Sequence, residues 1–200
     1  MNINKAIRKQ KKTYKRFMLS MGFIFVLLPI ILIISKVTSI FFTMYLVSME
    51  MLISFVVLVR FNEEYIDFNG DGYKISIRYG ISKTKFIITC KKVALVHVEG
   101  QGRNLEIIII TKSRFRNKRI RPITISFLKK YPYAAQMYNK VKIDDPEEEY
   151  FYFIIKNGGF MKYILLDDLY KASVQAVFSD DAIEKIKEYR EYSINPQVHK

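Results

Sequence analysis

The chain has 200 residues, 50% of them apolar, with no Trp, a single Cys and a formal net charge of +14. That length holds one globular domain and little more. One cysteine, Cys90, excludes an intrachain disulfide and agrees with a reducing compartment.

The first element is a basic tail. "MNINKAIRKQKKTYKR" (1–16) carries seven Lys and Arg and no acid. Two apolar runs follow at 17–35 and 37–59, "FMLSMGFIFVLLPIILIIS" and "VTSIFFTMYLVSMEMLISFVVLV". About 20 apolar residues at 1.5 Å each cross a hydrocarbon core of about 30 Å, so the pair reads as a transmembrane helical hairpin. A cleaved signal peptide is disfavoured, because the first run exceeds an ordinary h-region and no small-x-small site follows it. The connection holds only Lys36, whereas the tail is strongly basic and Arg60 directly follows the second span. Basic short flanks stay inside, which predicts a two-span protein of the cell membrane with both termini cytoplasmic.

Residues 61–200 read as a β-rich cytosolic domain. The expected strands are 64–68, 73–79, 85–90, 94–99, 105–111 and 119–125, each rich in Ile, Val, Tyr or Phe. They lie too close together for intervening helices, which predicts a mainly antiparallel sheet. Within this series "DFNGDGYKISIR" (67–78) imitates a calcium loop. Its twelfth position is Arg78 where such a loop needs Glu, and its flanks are β-type, so Asn69–Gly72 is expected to be a hairpin turn.

"FLKKYPYAAQMYNKVK" (127–142) reads either as a short helix broken at Pro132 or as a loop. Five acids then stand between Asp144 and Glu149. A final hairpin is expected from 150–156 and 160–166 across Asn157-Gly158-Gly159. Ser179, Asp180 and Asp181 are N-cap types, Glu184 stands in a capping-box relation to Asp181, and Ile183, Ile186 and Tyr189 form one apolar stripe of a terminal helix.

Catalytic signals are weak. There is no phosphate-binding loop of Walker type, no G-x-S-x-G and no H-E-x-x-H. His97 sits in an expected strand without a partner, and Asp167 and Asp168 follow an expected strand that they simply end. No catalytic residue, metal or cofactor is therefore assigned. Two features stand out instead. Lys112, Arg114, Arg116, Lys118, Arg119 and Arg121 place six cations and no acid within ten residues. On a domain tethered to the inner leaflet, they point to anionic membrane lipids rather than nucleic acid. The alternative is an ordinary solvated loop. Glu50 lies ten residues before Arg60, about 15 Å deep in the second span. Intramembrane acids mark partners or polar cavities, so Glu50 is expected at a homo-oligomer or membrane-protein interface, unless it stays protonated against lipid.

The order of basic tail, two spans, β-rich domain and terminal helix resembles small bacterial membrane proteins with a pleckstrin-homology-like domain, including the YcxB-like group. The likeness rests on "EYIDFNGDGYKISIRYGISKTKFIITCKKVALVHVE" and "LEIIIITKSRFRNKRIRPI", and it covers about residues 1 to 125. The resemblance implies a seven-stranded curved sheet capped by the helix, and no catalytic residues. The resulting expectation is a non-enzymatic membrane protein whose cytosolic domain binds a protein partner or an anionic lipid. An accessory or immunity protein acting against a membrane-active peptide, or supporting an exporter, is the alternative. A membrane-bound enzyme would need Asp167 and Asp168 to converge with other polar groups.

Overall fold

The computed structural model describes residues 2–36, 39–81, 84–114 and 120–194. Helices α1 (Ile3–Ile34) and α2 (Ile40–Glu64) form an antiparallel hairpin, and both are long and apolar enough to cross a membrane. Their most apolar stretches bury nothing against the rest of the chain. Phe23, Ile33, Phe41 and Phe55 are 64 to 72% exposed, which water would penalise and lipid would not. Lys36, at φ 54°, turns the chain out of α1, and Ser39 caps α2 by accepting from the Phe41 N–H at 3.3 Å.

Both helices outrun their apolar segments. Residues 3–16 continue α1 for about 20 Å beyond Phe17, and Arg60 to Glu64 continue α2 by more than a turn. Ile3 and Ile7 end up 0% and 6% exposed in the domain core, beside α6 (Asp180–Ile194). The basic segment is thus a docked strut, with its apolar residues turned inward and its cations left outside.

Strands β1 (Ile66–Gly70), β2 (Lys74–Tyr79) and β3 (Thr84–Thr89) form one antiparallel sheet. The calcium-like segment is the β1–β2 turn. Asp71 Oδ1 accepts from the backbone N–H of Tyr73 at 3.1 Å and of Lys74 at 2.6 Å, which holds its carboxyl below the usual range, and Gly72 takes φ 78°.

The second sheet runs β6-β7-β5-β4-β8. Strands β4 (Val93–Glu99), β5 (Glu106–Thr111), β6 (Arg121–Pro122) and β7 (Phe151–Ile155) pair antiparallel, while β8 (Val177–Phe178) pairs parallel to β4. Ile107, Ile108, Ile109 and Ile110 are all 0% exposed. Successive side chains point to opposite faces, so a run of four isoleucines suits only a strand covered on both sides. Ile107 and Ile109 join the core shared with the first sheet, α1, α5 (Met161–Ala172) and α6. Ile108 and Ile110 face α3 (Ile125–Lys130) and α4 (Pro132–Asp144), packing with Phe127, Tyr131 and Ala134.

Four expectations are corrected or resolved. Residues 160–166 are not the second arm of a hairpin; they begin α5. Gly158 and Gly159, at φ 107° and 53°, turn the chain out of β7, and Tyr163, Leu166 and Leu169 then recur at helical spacing on the buried face. Of the expected strand 119–125, only Arg121–Pro122 is strand among the described residues, because Thr124 Oγ1 accepts from the Phe127 N–H at 3.4 Å and starts α3. Pro122, lacking an N–H, sits where an edge strand can lose one. The ambiguous stretch 127–142 is two helices that break at Pro132, the first residue of α4. The cap of α6 is Ser179, whose Oγ accepts from the Ala182 N–H at 3.2 Å, so Asp181 and Glu184 do not form the expected capping box.

Candidate functional site

At the foot of α2, where its apolar surface ends, Arg60 and Glu64 stand one turn apart. Glu64 is only 8% exposed, and its carboxylate is shared by three donors from three parts of the chain. Arg60 Nη2 lies 2.9 Å from Oε1, Arg103 Nη2 pairs with the same oxygen, and Gln10 Nε2 of α1 donates to Oε2. Gln10 Oε1 in turn accepts from the Phe160 N–H at 2.8 Å, ahead of α5. Gly158 N–H donates to the Glu63 carbonyl at 2.8 Å, and Asn157 Nδ2 donates to the Asn62 carbonyl at 2.8 Å. Helical hairpin and β-rich domain are therefore joined by a polar knot, not by a loose linker.

Beside this knot opens a cleft of about 460 Å³, walled by Arg60, Glu63, Arg103, Asn104, Glu106 and Lys156. Lys156 Nζ lies 2.9 Å from Glu106 Oε1, and the Tyr131 hydroxyl donates to Glu106 Oε2 at 3.1 Å. The Glu106 hydrogen bond raises the Lys156 pKa, keeping this half-exposed cation charged. Arg60 also stacks over Phe17, 5.9 Å from the ring centroid, and its Nε–H is buried without an acceptor among the described residues. Glu63 is exposed and makes no ion pair among the described residues. The cleft thus offers guanidinium and ammonium donors for an oxyanion, with one uncommitted carboxylate beside them.

Lys162 supports the cleft from beneath. It is 0% exposed, and its Nζ donates to the Arg103 carbonyl at 3.0 Å and the Lys156 carbonyl at 2.5 Å, tying the two cationic walls together. Burial lowers its pKa to about 8, aided by Arg103 and opposed by Glu106. Because the folded value is depressed below 10.5, the cost of burying the ammonium is fully present below pH about 8 and is relieved as pH rises toward 10.5. Relative to a Lys162→Met variant, wild type should gain about 1 kcal/mol per pH unit across that window. Thermal melts of the full-length protein in detergent at several pH values check this, and a flat difference would refute it.

The residues singled out from the sequence do not converge. Lys112 pairs with Asp145, whose hydrogen bond raises the Lys112 pKa, so the acidic connector neutralises the first of the six cations. Arg114 and Arg121 are exposed; Arg116, Lys118 and Arg119 lie outside the described residues. Lys112 follows the end of β5 opposite Glu106, about 17 Å along the strand from the cleft. Glu50 is half-buried on α2 and makes no ion pair or side-chain hydrogen bond among the described residues.

His97 is 2% exposed. Its Nδ1 lies 2.9 Å from the Ser179 hydroxyl that caps α6, Nε2 is 3.7 Å from Glu99, and burial pushes the imidazole below its usual pKa. Asp167 and Asp168 do not end a strand; they lie within α5, where Asp167 pairs with Lys171 at 2.5 Å and Arg190 at 2.6 Å. Burial raises the Asp168 pKa.

Of the cleft residues, the sequence pattern marks only Arg60, as a topological flank. Arg103, Glu106 and Lys156 are single charges at strand ends and carry no pattern. Lys162 was the one visible anomaly, a cation inside the apolar run "FMKYILL". No protein family matches this sequence, and no curated protein or solved structure matches it either.

Proposed function

We propose that this chain is a non-enzymatic, two-span protein of the cell membrane, with both termini cytoplasmic, whose β-rich domain binds a phosphate-bearing lipid headgroup of the inner leaflet. One observation carries the reading: Arg60, Arg103 and Lys156 line an open cleft at the level where the apolar surface of α1 and α2 ends. Paired guanidinium donors suit a phosphodiester. The seven cations of residues 1–16, together with the exposed Arg114 and Arg121, add a general attraction to anionic lipid. The antiparallel strands and terminal α6 are compatible with a pleckstrin-homology-like domain into which α3, α4 and α5 are inserted.

The test is native mass spectrometry of full-length protein taken from membranes through extensive detergent washing. Wild type is expected to retain phospholipid near one per chain, and an Arg60→Gln/Arg103→Gln variant to lose it. Lys156→Gln, which leaves the Glu64 pairs intact, should weaken retention about tenfold, as expected for one lost charge-assisted contact. Equal retention in all three proteins sinks the proposal.

Glu50 supports a second reading, an interface within the membrane. An unpaired acid in hydrocarbon is costly, and contacts between polar groups of neighbouring helices are worth about 1 kcal/mol. Self-association in lipid, measured by energy transfer between labelled chains, should weaken about fivefold in Glu50→Leu. Unchanged association together with unchanged co-purifying proteins removes this reading.

A further inference from the structure

The polar cleft shares two wall residues with an apolar groove. Between α1 and α2 lies a depression of about 430 Å³ lined by Thr13, Phe17, Phe55, Val56 and Val59, and Arg60 and Glu63 wall both this groove and the cleft above it. Apolar below and charged above, the two form one amphipathic channel at the place where a lipid changes from chain to headgroup.

The charges narrow the headgroup. Glu64 is saturated by Arg60, Arg103 and Gln10, and Glu106 by Lys156 and Tyr131. Of the two carboxylates that line the cleft, Glu63 is exposed and makes no ion pair among the described residues, and it stands three positions from Arg60 on the same helix. Residues so spaced are helix neighbours, with Cβ atoms about 5 to 6 Å apart, so one small headgroup can reach both side chains. A headgroup that is anionic only would meet Glu63 with like charge, whereas a zwitterion meets cation and carboxylate together.

We infer that the channel holds one phospholipid bearing a primary amine, with its phosphodiester at Arg60 and Arg103, its amine at Glu63, and an acyl chain in the groove between α1 and α2. This rests on the phosphate-binding reading above and assigns its ligand class. A primary amine donates charge-assisted hydrogen bonds to a carboxylate, and a trimethylated amine of equal charge does not.

The experiment titrates delipidated full-length protein in detergent with phosphatidylethanolamine, phosphatidylcholine and phosphatidylglycerol of identical chains, scoring bound lipid by native mass spectrometry. Phosphatidylethanolamine should bind about tenfold tighter than phosphatidylcholine, and Glu63→Gln should erase that preference. Val59→Trp, which fills the groove from an exposed helical position, should weaken all three lipids together. Equal saturable binding of all three, or preference for phosphatidylglycerol, overturns the amine assignment while phosphate binding stands. Val59→Trp without effect overturns the seating of the chain. If no lipid binds saturably to wild type, the underlying phosphate reading fails with it.

Discussion

Replacing Gly158 by Ala is expected to destabilise the full-length protein by about 3 to 5 kcal/mol, lowering its melting temperature by about 10 °C. Two independent costs add at this position. Its φ of 107° is outside the range that L side chains adopt readily, and an added Cβ would lie 2.5 Å from Ile66 Cγ2 and 2.8 Å from Ile66 Cβ. Ile66 opens β1 and is buried, so it cannot swing aside. The Gly158 N–H is also bound to the Glu63 carbonyl, which prevents the turn from moving away. Gly72→Ala is the control. It has φ 78° but nothing within 4 Å of the added carbon, and should cost only about 1 kcal/mol. Circular dichroism melts in detergent compare the two. If they soften the protein equally, the close approach of the α5 entry to β1 is wrong.

The second large effect belongs to Glu64→Leu. Removing this carboxylate leaves Arg60 and Arg103 without their shared partner and strips an acceptor from Gln10. Breaking one side of a fully buried pair costs about 3 to 5 kcal/mol. Here the Arg60 and Arg103 side chains are 24% and 40% exposed and recover part of their hydration, which reduces the expected loss to about 2 to 3 kcal/mol. Lys156→Gln, which breaks the exposed pair with Glu106, should stay within about 1 kcal/mol of wild type. The loss in Glu64→Leu should also free the hairpin from the β-rich domain, giving faster proteolysis near residues 62–65. A variant that melts and digests like wild type would show that the polar knot contributes nothing to the joint.

Much of this architecture was legible in the residues. Two runs of about 20 apolar side chains can be satisfied only by helices in an apolar surrounding. Short β-branched segments between Gly and Asn turns give the strands from β1 to β5, and Asp71 with Gly72 gives the first turn. The misreadings had local causes. At 160–166 a glycine pair and seven mostly apolar residues fit a strand as well as a helix; the deciding period emerges only when Leu169 and Ala172 are counted. At 119–125 Ile and Thr suggested β structure, and a side-chain cap at Thr124 overrode that preference.

Alone, the sequence determined the apolar helices, the strand series, the excess of cations and the lone acid at Glu50, because hydropathy and periodicity are properties of neighbours along the chain. Tertiary structure decided the cleft. Gln10, Glu64, Arg103 and Lys156 are separated by tens of residues, and each is an unremarkable surface type where it stands in the sequence. Only when α1 runs on into the core, β4 turns into β5 and Gly158 turns the chain from β7 toward α5 do these groups meet. A binding site made of single charges from distant strand ends has no sequence period, since long-range packing alone brings its members within hydrogen-bonding distance.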